Sequence, residues 1–398
     1  MWGKIMKSNF DISILKSQAE QISEQIIGYR RLFHQIPELK METVLTEQNI
    51  VKILKDLGVT EVKQGVGGHG VVAIIRGTQG KKTIGIRADC DGLPIKEETN
   101  LPFKSTNGNM HACGHDTHTA IALGAVKLLM QNKQHLKNDV KFIFQPYEEG
   151  GGGAKLMIED GAMQNPKVDE IIAMHVHVKP NENYMVGDVL VSSEPTSAGI
   201  YSYEATFEGK QAHVCESFTA INSVHAACTA VAEIAKISKL NKDIVNAVTL
   251  VNGGVRNNII PKSCTISGSI RSFSAELHNE AIAQFNQIVN ESASKFGCTV
   301  SVKKVVDLVP MKIDKNVYNK FKNVVNKTYP ERGAVEVVDR DLIGEDFASF
   351  SNLVPATHFF LHAKPDGEYY PLHNAKFNVK EEVLHKASAV LAGFALAD

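Results

Sequence analysis

The sequence predicts an α/β protein in two parts: a mixed-sheet domain with helices on both faces, interrupted by an inserted ferredoxin-like (βαββαβ) unit. Three observations carry that reading. Short apolar strands alternate with helical stretches in the first half, half-buried strands take over near Ser197, and helical spacing resumes at Ile313. At 398 residues the chain also exceeds the size at which one core usually divides.

The elements follow in order. Ile22 to Gly58 has helical spacing broken at Pro37, and Val71 to Ile75 and Thr83 to Arg87 read as strands. The second strand runs into an acidic turn, Ala88-Asp89-Cys90-Asp91-Gly92. A helix is predicted from about Asp116 to Met130, with Asp116 placed to cap it. Buried-type strands follow at Val140 to Phe144 and Glu170 to Met174. Then come a strand at Ile200 to Phe207, a helix at Ala220 to Ile237, and strands at Ala247 to Val251 and Cys264 to Ile270. A helix at Ala275 to Phe296 and a strand at Thr299 to Val306 complete the β-α-β-β-α-β order. Because Ile313 to Tyr329 is helical again, the expected division is 1–195 with 308–398, and 196–307 inserted.

Composition narrows the function. Hydrophobic residues make up 43% and charged residues 22%, ordinary for a globular protein. A net charge of -1 argues against nucleic acid or an anionic membrane as the main partner. No apolar run approaches ~18 residues, and Met1 to Leu15 lacks the apolar core of a signal peptide. Six scattered cysteines fit reduced thiols better than a disulfide framework, so a cytoplasmic location is expected.

The densest chemical signal is Met110-His111-Ala112-Cys113-Gly114-His115-Asp116-Thr117-His118. Cys113 and His115 are metal-type ligands in a turn just before a helix, although a lone Cys-x-His is often only a buried thiol in a polar turn. Other candidates follow the carboxyl ends of predicted strands: Asp89 and Asp91, Glu148 and Glu149, His175 and His177. Ligands of open α/β sheets collect at that rim. Each acidic residue alone reads as a solvated charge or cap, but these strand ends together offer one rim of acid–base and metal-type groups. Neighbours in a strand point to opposite faces, so Glu148 and Glu149 need a bend to share one ion. The run Gly150 to Gly153 is expected to allow it, letting one carboxylate bind metal while the other handles a water proton.

Further on, Gly344-Glu345-Asp346-Phe347 and Pro371-Leu372-His373-Asn374 offer a last acidic pair and a last histidine, with His362 close by. In the inserted unit, His213 follows a strand, Asn258 lies in a glycine-rich loop, and Arg271 ends a strand. Such groups can bind a substrate carboxylate, or simply be polar hairpin tips.

These motifs, in this order, resemble the zinc aminoacylase–carboxypeptidase family, in its amidohydrolase branch of hippurate and indole-acetyl-amino-acid hydrolases. The matching stretches are Arg87 to Pro94, His111 to His118, Phe144 to Glu149, Gly161-Ala162, Met174 to Val176, Asn258 to Pro261, Gly268 to Arg271 and Gly344 to Phe347. The resemblance implies a catalytic domain with a smaller lid domain, often used for dimerisation. It implies Cys113, His115, Glu149, His175 and His373 as ligands of one or two divalent ions, zinc or manganese. Glu148 is implied as general base, Asp91 as a residue orienting a ligand, and His213, Asn258 and Arg271 as contacts to the oxyanion or substrate carboxylate. The lid histidine can come from the partner subunit in dimeric relatives, so a homodimer or homotetramer is expected. The branch pattern departs at His213-Val214-Cys215-Glu216-Ser217, and His177 and His362 stand where other residues are usual.

The expected reaction is hydrolysis of the amide of an N-acyl amino acid or short peptide by water that the metal activates. Two other readings compete: Cys113 as a nucleophile with a histidine base, and a non-catalytic protein that holds a metal or peptide in the same cleft.

Overall fold

A computed structural model of the chain describes residues 10–237, 243–338 and 340–397, so most of the Met1 to Leu15 segment lies outside the described residues. The apolar runs assemble into two main sheets with separate cores, and the chain divides into two compact units. One unit runs to Glu194 and resumes from Lys312; the other holds Pro195–Met311 and also Arg340–Ala348.

In the first unit, helices α1 (Ile14–Gln21), α2 (Ser23–His34) and α3 (Val44–Asp56) precede strands β1 (Glu61–Val66), β2 (Gly70–Ile75) and β3 (Thr83–Asp89). Next come α4 (His115–Gln131), β4 (Asp139–Gln145), α5 (Gly153–Glu159), β5 (Glu170–His177) and β6 (Val189–Val191). The second unit contributes β7 (Gly199–Glu208), β8 (Ala212–His213), α6 (Ser223–Ile234), β9 (Ile244–Gly253), β10 (Ile259–Ile260), β11 (Ser263–Ser272), α7 (Ala275–Phe296) and β12 (Thr299–Leu308). After these come α8 (Lys315–Thr328), β13 (Ala334–Glu336), α9 (Ala348–Ser351), β14 (Ala356–His362) and α10 (Leu384–Leu396).

The first unit's eight-stranded sheet has the order β1-β2-β4-β3-β5-β14-β6-β13. It is mixed: β4, β3, β5 and β14 run parallel, while β1 with β2, β2 with β4 and β14 with β6 pair antiparallel. Strands β3 and β4 are buried along their whole length, as covered parallel strands should be. Helix α4 is buried on almost every side, packed with α2 and α10 into the same core. It starts after Gly114, whose φ of 88° only glycine adopts readily. Asp116 does not cap it, contrary to expectation. The side chain is buried and turned to Arg30 Nε at 2.9 Å and His34 Nδ1 at 2.7 Å.

In the second unit the longer elements run β7, α6, β9, β11, α7 and β12, with the short strands β8 and β10 between them, and the antiparallel sheet runs β12-β7-β11-β9. β7 alternates buried and half-buried residues, so one face meets α6 and α7. Helix α6 begins later than expected because residues Val214–Thr219 form a 3₁₀ turn and Asn222 then caps the helix through Val224 N–H and His225 N–H. Arg340–Ala348 joins this unit through Ala198 N–H donating to the Ile343 carbonyl at 2.9 Å and Arg271 Nη1 donating to the Leu342 carbonyl at 2.8 Å. The Gly344 to Phe347 motif therefore belongs with the second unit. Among the described residues, no helix is long and apolar enough to cross a membrane.

Candidate metal centre

Seven candidate residues converge in the first unit, brought there by separate pieces of chain. The turn after β3 carries Asp91, the turn into α4 carries Cys113, and the first residue of α4 is His115. The turn after β4 brings Glu148 and Glu149, β5 brings His175, and a later turn brings His373. Contrary to expectation, His175 and His177 lie within their strand, two residues apart and so on one face.

The bend at Glu148 and Glu149 starts at Tyr147, with φ of 61°, rather than in the glycine run alone. The glycines allow close approach: a Cβ on Gly150 would meet the Tyr147 ring at 2.0 Å, and one on Gly153 would meet the Pro146 carbonyl at 1.8 Å. Asp91 then fastens the turn, its two carboxylate oxygens accepting Glu148 N–H at 3.0 Å and Glu149 N–H at 3.3 Å.

Ligand-type atoms of Cys113, His115 and His175 lie within 4.8 Å of one another, as do those of Cys113, Glu149 and His373, and those of His115, Glu148 and Glu149. Cys113 is thus common to two of the groups. Its Sγ is 3.4 Å from His175 Nε2, and His373 Nε2 is 3.3 Å from Glu149 Oε2. Both buried imidazoles turn the same way. His115 Nδ1 lies 3.0 Å from the Asp91 carbonyl and His175 Nδ1 lies 2.7 Å from the Val176 carbonyl. A carbonyl can only accept, so each Nδ1 carries a hydrogen, and Nε2 is the ring atom that faces the cluster and could bind a cation once deprotonated. His115 Nε2 and Glu149 Oε1 are buried with no hydrogen-bond partner. Orphaned buried atoms converging with thiol, imidazole and carboxylate donors fit a divalent cation of borderline softness.

The electrostatics agree. Burial, then the Glu149 charge, pushes the Cys113 thiol well above its ordinary range, so without a cation the sulfur is protonated and a poor nucleophile. Burial pushes His175 well below its ordinary range and keeps it neutral. Burial pushes the Asp91 carboxyl up. Burial also opposes the charged form of Glu149, but the His373 and His115 contacts hold its carboxyl below its usual value.

The remaining candidates lie elsewhere. His213 and Asn258 come together in the second unit, where β8 pairs with β10 and Val214 N–H donates to the Asn258 carbonyl at 3.1 Å. Arg271 is at the opposite end of β11, with Nη1 engaged by Leu342. His177 and His362 pair through their Nδ1 atoms at 3.0 Å beside Tyr184, and burial lowers His362 to about 4. His111 is buried with neither ring nitrogen hydrogen-bonded and is pushed down to about 4. Sequence reasoning gave no role to Arg30, His34, His118 or Tyr147; for His118 the available signal was its three-residue spacing from His115 on one helix.

Comparison with known proteins places this geometry. Over 380 residues the chain is 34% identical to a thermostable carboxypeptidase of Saccharolobus solfataricus, covering 93% of this chain and 94% of the relative. It is 32% identical to an N-acetyl-L-cysteine deacetylase of Bacillus subtilis, covering 96% and 91% of the two chains. Among solved structures, a dinuclear metal-binding peptidase of Bacillus subtilis matches with a TM-score of 0.80 and 30% identity, over 95% of this chain and 98% of that one. Residues 85–397 match peptidase family M20/M25/M40, and the chain belongs to that family of hydrolytic enzymes.

Proposed function

We propose that this hydrolase cleaves the amide bond of small N-acyl amino acids or short peptides at a two-ion centre held by Cys113, His115, His175, Glu149 and His373. The observation that carries the reading is the pair of ligand-type groups sharing Cys113, each with one buried orphan atom, His115 Nε2 in one and Glu149 Oε1 in the other. Zinc or manganese suits the donor set. Bound there, the metal supplies Lewis acidity that polarises the scissile carbonyl and acidifies water.

The chain's own groups do the rest. Glu148, whose Oε2 stands 3.9 Å from His115 Nε2, takes a proton from the attacking water and returns it to the leaving amine nitrogen. Asp91 holds the amides of Glu148 and Glu149 and the His115 ring, so base and ligands keep one arrangement.

His213 and Asn258 serve as substrate contacts. Cys215 N–H donates to His213 Nδ1 at 3.3 Å, which leaves Nε2 to carry the hydrogen and donate to a developing oxyanion. Ser263 to Arg271 spans eight residue steps of β11, so Arg271 stands about 27 Å along the strand from the end that carries Asn258. A small substrate cannot touch both ends. Arg271 and His213 therefore act on different substrate molecules unless a second copy of the chain supplies His213, which favours a homodimer. Val214, Phe218 and Val255, exposed at that same tip, suit an interface between copies.

The test is amine release from a panel of N-acyl amino acids and dipeptides, with metal-stripped protein reloaded with zinc or manganese. Metal-dependent release is expected. Folded, metal-loaded protein that binds these compounds without turning any over would overturn the reading.

A further inference from the structure

Helix α4 carries two histidines on one face of its first turn: His115 in the cluster and, three residues on, the fully buried His118. Among the ligand-type groups His118 falls with Asp89 and His115, not with Cys113, Glu149 or His373. Its Nδ1 lies 2.5 Å from Asp89 Oδ1, and its Nε2 accepts Val176 N–H at 3.0 Å. Since Nε2 is the acceptor, the hydrogen sits on Nδ1 and is donated to Asp89. Asp89 is itself held, its other oxygen accepting Arg87 Nη1 at 2.7 Å while Arg87 Nε donates to Gln145 Oε1 at 2.8 Å.

The amide that His118 accepts has a particular place. The β3–β5 ladder ends at Arg87 opposite Ala173, three residues before Val176. Beyond that point β5 has lost this neighbour, yet it still carries His175, whose Nδ1 donates to the Val176 carbonyl. The His118 ring also packs on the His175 ring, centroids 4.5 Å apart.

We propose that Asp89 and His118 form a positioning pair for the metal centre, in which His118 Nε2 replaces the missing strand acceptor and so sets where His175 Nε2 stands relative to Cys113 and His115. The inference rests on the reading of His175 as a ligand and adds residues that touch neither substrate nor ion. A carboxylate commonly supports a ligating imidazole directly, and a carboxylate–imidazole pair extends that support by one group. Here it grips the peptide beside the ligand, and the same helix turn that presents His115 also fixes the distance to His175.

Cobalt loading tests this without relying on turnover, through the visible d–d spectrum and the dissociation constant from chelator competition. Glutamine can place an acceptor where Nε2 stands, whereas asparagine reaches only as far as Nδ1. His118→Asn is expected to weaken cobalt binding about 10–100-fold and shift the spectrum, while His118→Gln stays within about threefold of wild type. Equal losses in the two variants would make His118 a packing residue, and no loss in His118→Asn would remove its role; either overturns the proposal. His175→Ala separates the underlying reading: unchanged cobalt binding there means that His175 is not a ligand. Should His118→Asn fail to fold, nitrogen-15 NMR of the histidines in wild-type protein decides. A hydrogen on Nδ1 of His118 is expected, and a hydrogen on Nε2 would overturn the proposal.

Discussion

His175 and His213 each stand beside a cysteine sulfur, and they are built in opposite ways. His175 Nε2 lies 3.4 Å from Cys113 Sγ, with the thiol buried, the other ring nitrogen tied to a carbonyl and the ring packed on His118. His213 Nδ1 lies 3.0 Å from Cys215 Sγ, but both residues are exposed and the contacts stay within one short turn. The first pair is preorganised by the turn before α4, by β5 and by α4; the second is ordered only by its own loop. Chemistry that must hold an ion is built into the core, and groups that must adapt to a substrate or a second copy sit at a tip.

The sharpest way to break this contrast is to disable each region and then mix the products. Glu148→Gln is expected to lower kcat by about 10²–10⁴-fold with metal content unchanged. His213→Ala is expected to cost about 10²–10³-fold, as loss of one oxyanion donor does. If a second copy supplies His213, mixing the two variants after dissociation restores activity in the heterodimer; a mixture as inactive as its parts would show that His213 acts within its own chain.

The buried region can also be broken away from the cluster. Arg30 is buried between two carboxylates, Asp116 and Glu381, so Asp116→Asn removes one of them and is expected to cost roughly 1–3 kcal/mol in urea unfolding of the metal-free protein. A loss below about 1 kcal/mol, the range of an exposed ion pair, would show that this network is not a support of the fold.

The same network sets a pH window. Burial opposes ionisation of Asp116 and Glu97, but Arg30 and His34 hold the first, and His34 the second, below the ordinary carboxylate range. A depressed carboxyl stabilises the fold above its unfolded value, and that contribution is lost as pH falls through the folded one. For His34 burial works downward, yet the Asp116 and Glu97 carboxylates leave its value raised. That contribution is full below about 6.5 and is lost as pH rises through the raised value. The melting temperature of metal-free protein should therefore fall on both sides of a plateau. A curve that keeps rising on the alkaline side would remove His34 from the account.

The smallest intervention is chemical. In metal-loaded protein, iodoacetamide should label Cys215 and spare Cys113, as peptide mapping can read. Labelling of Cys113 with metal retained would revive it as a nucleophile.

Much of the buried region was legible from residue order. Cys113, His115, Glu148, Glu149, His175 and His373 are brought together, because strand ends of an open sheet share a rim. The braces were not legible. Asp116 follows a turn and looks like a cap until tertiary packing supplies Arg30 and His34. β14 escaped because Thr357, His358 and His362 occupy buried positions and spoil any apolar alternation. The separation of Arg271 from His213 depends on strand pairing, which a list of motifs does not contain.

The place of β14 has a consequence for how the protein is made. Residues 356–362 fill the gap between β5 and β6, so a growing chain displays β5 with one open edge until almost the whole polypeptide has been synthesised. The second unit has all its parts once residue 348 has emerged. The unit begun first is thus finished last, and its unpaired edge, the one bearing His175, is where a nascent chain is most open to wrong pairing with its neighbours.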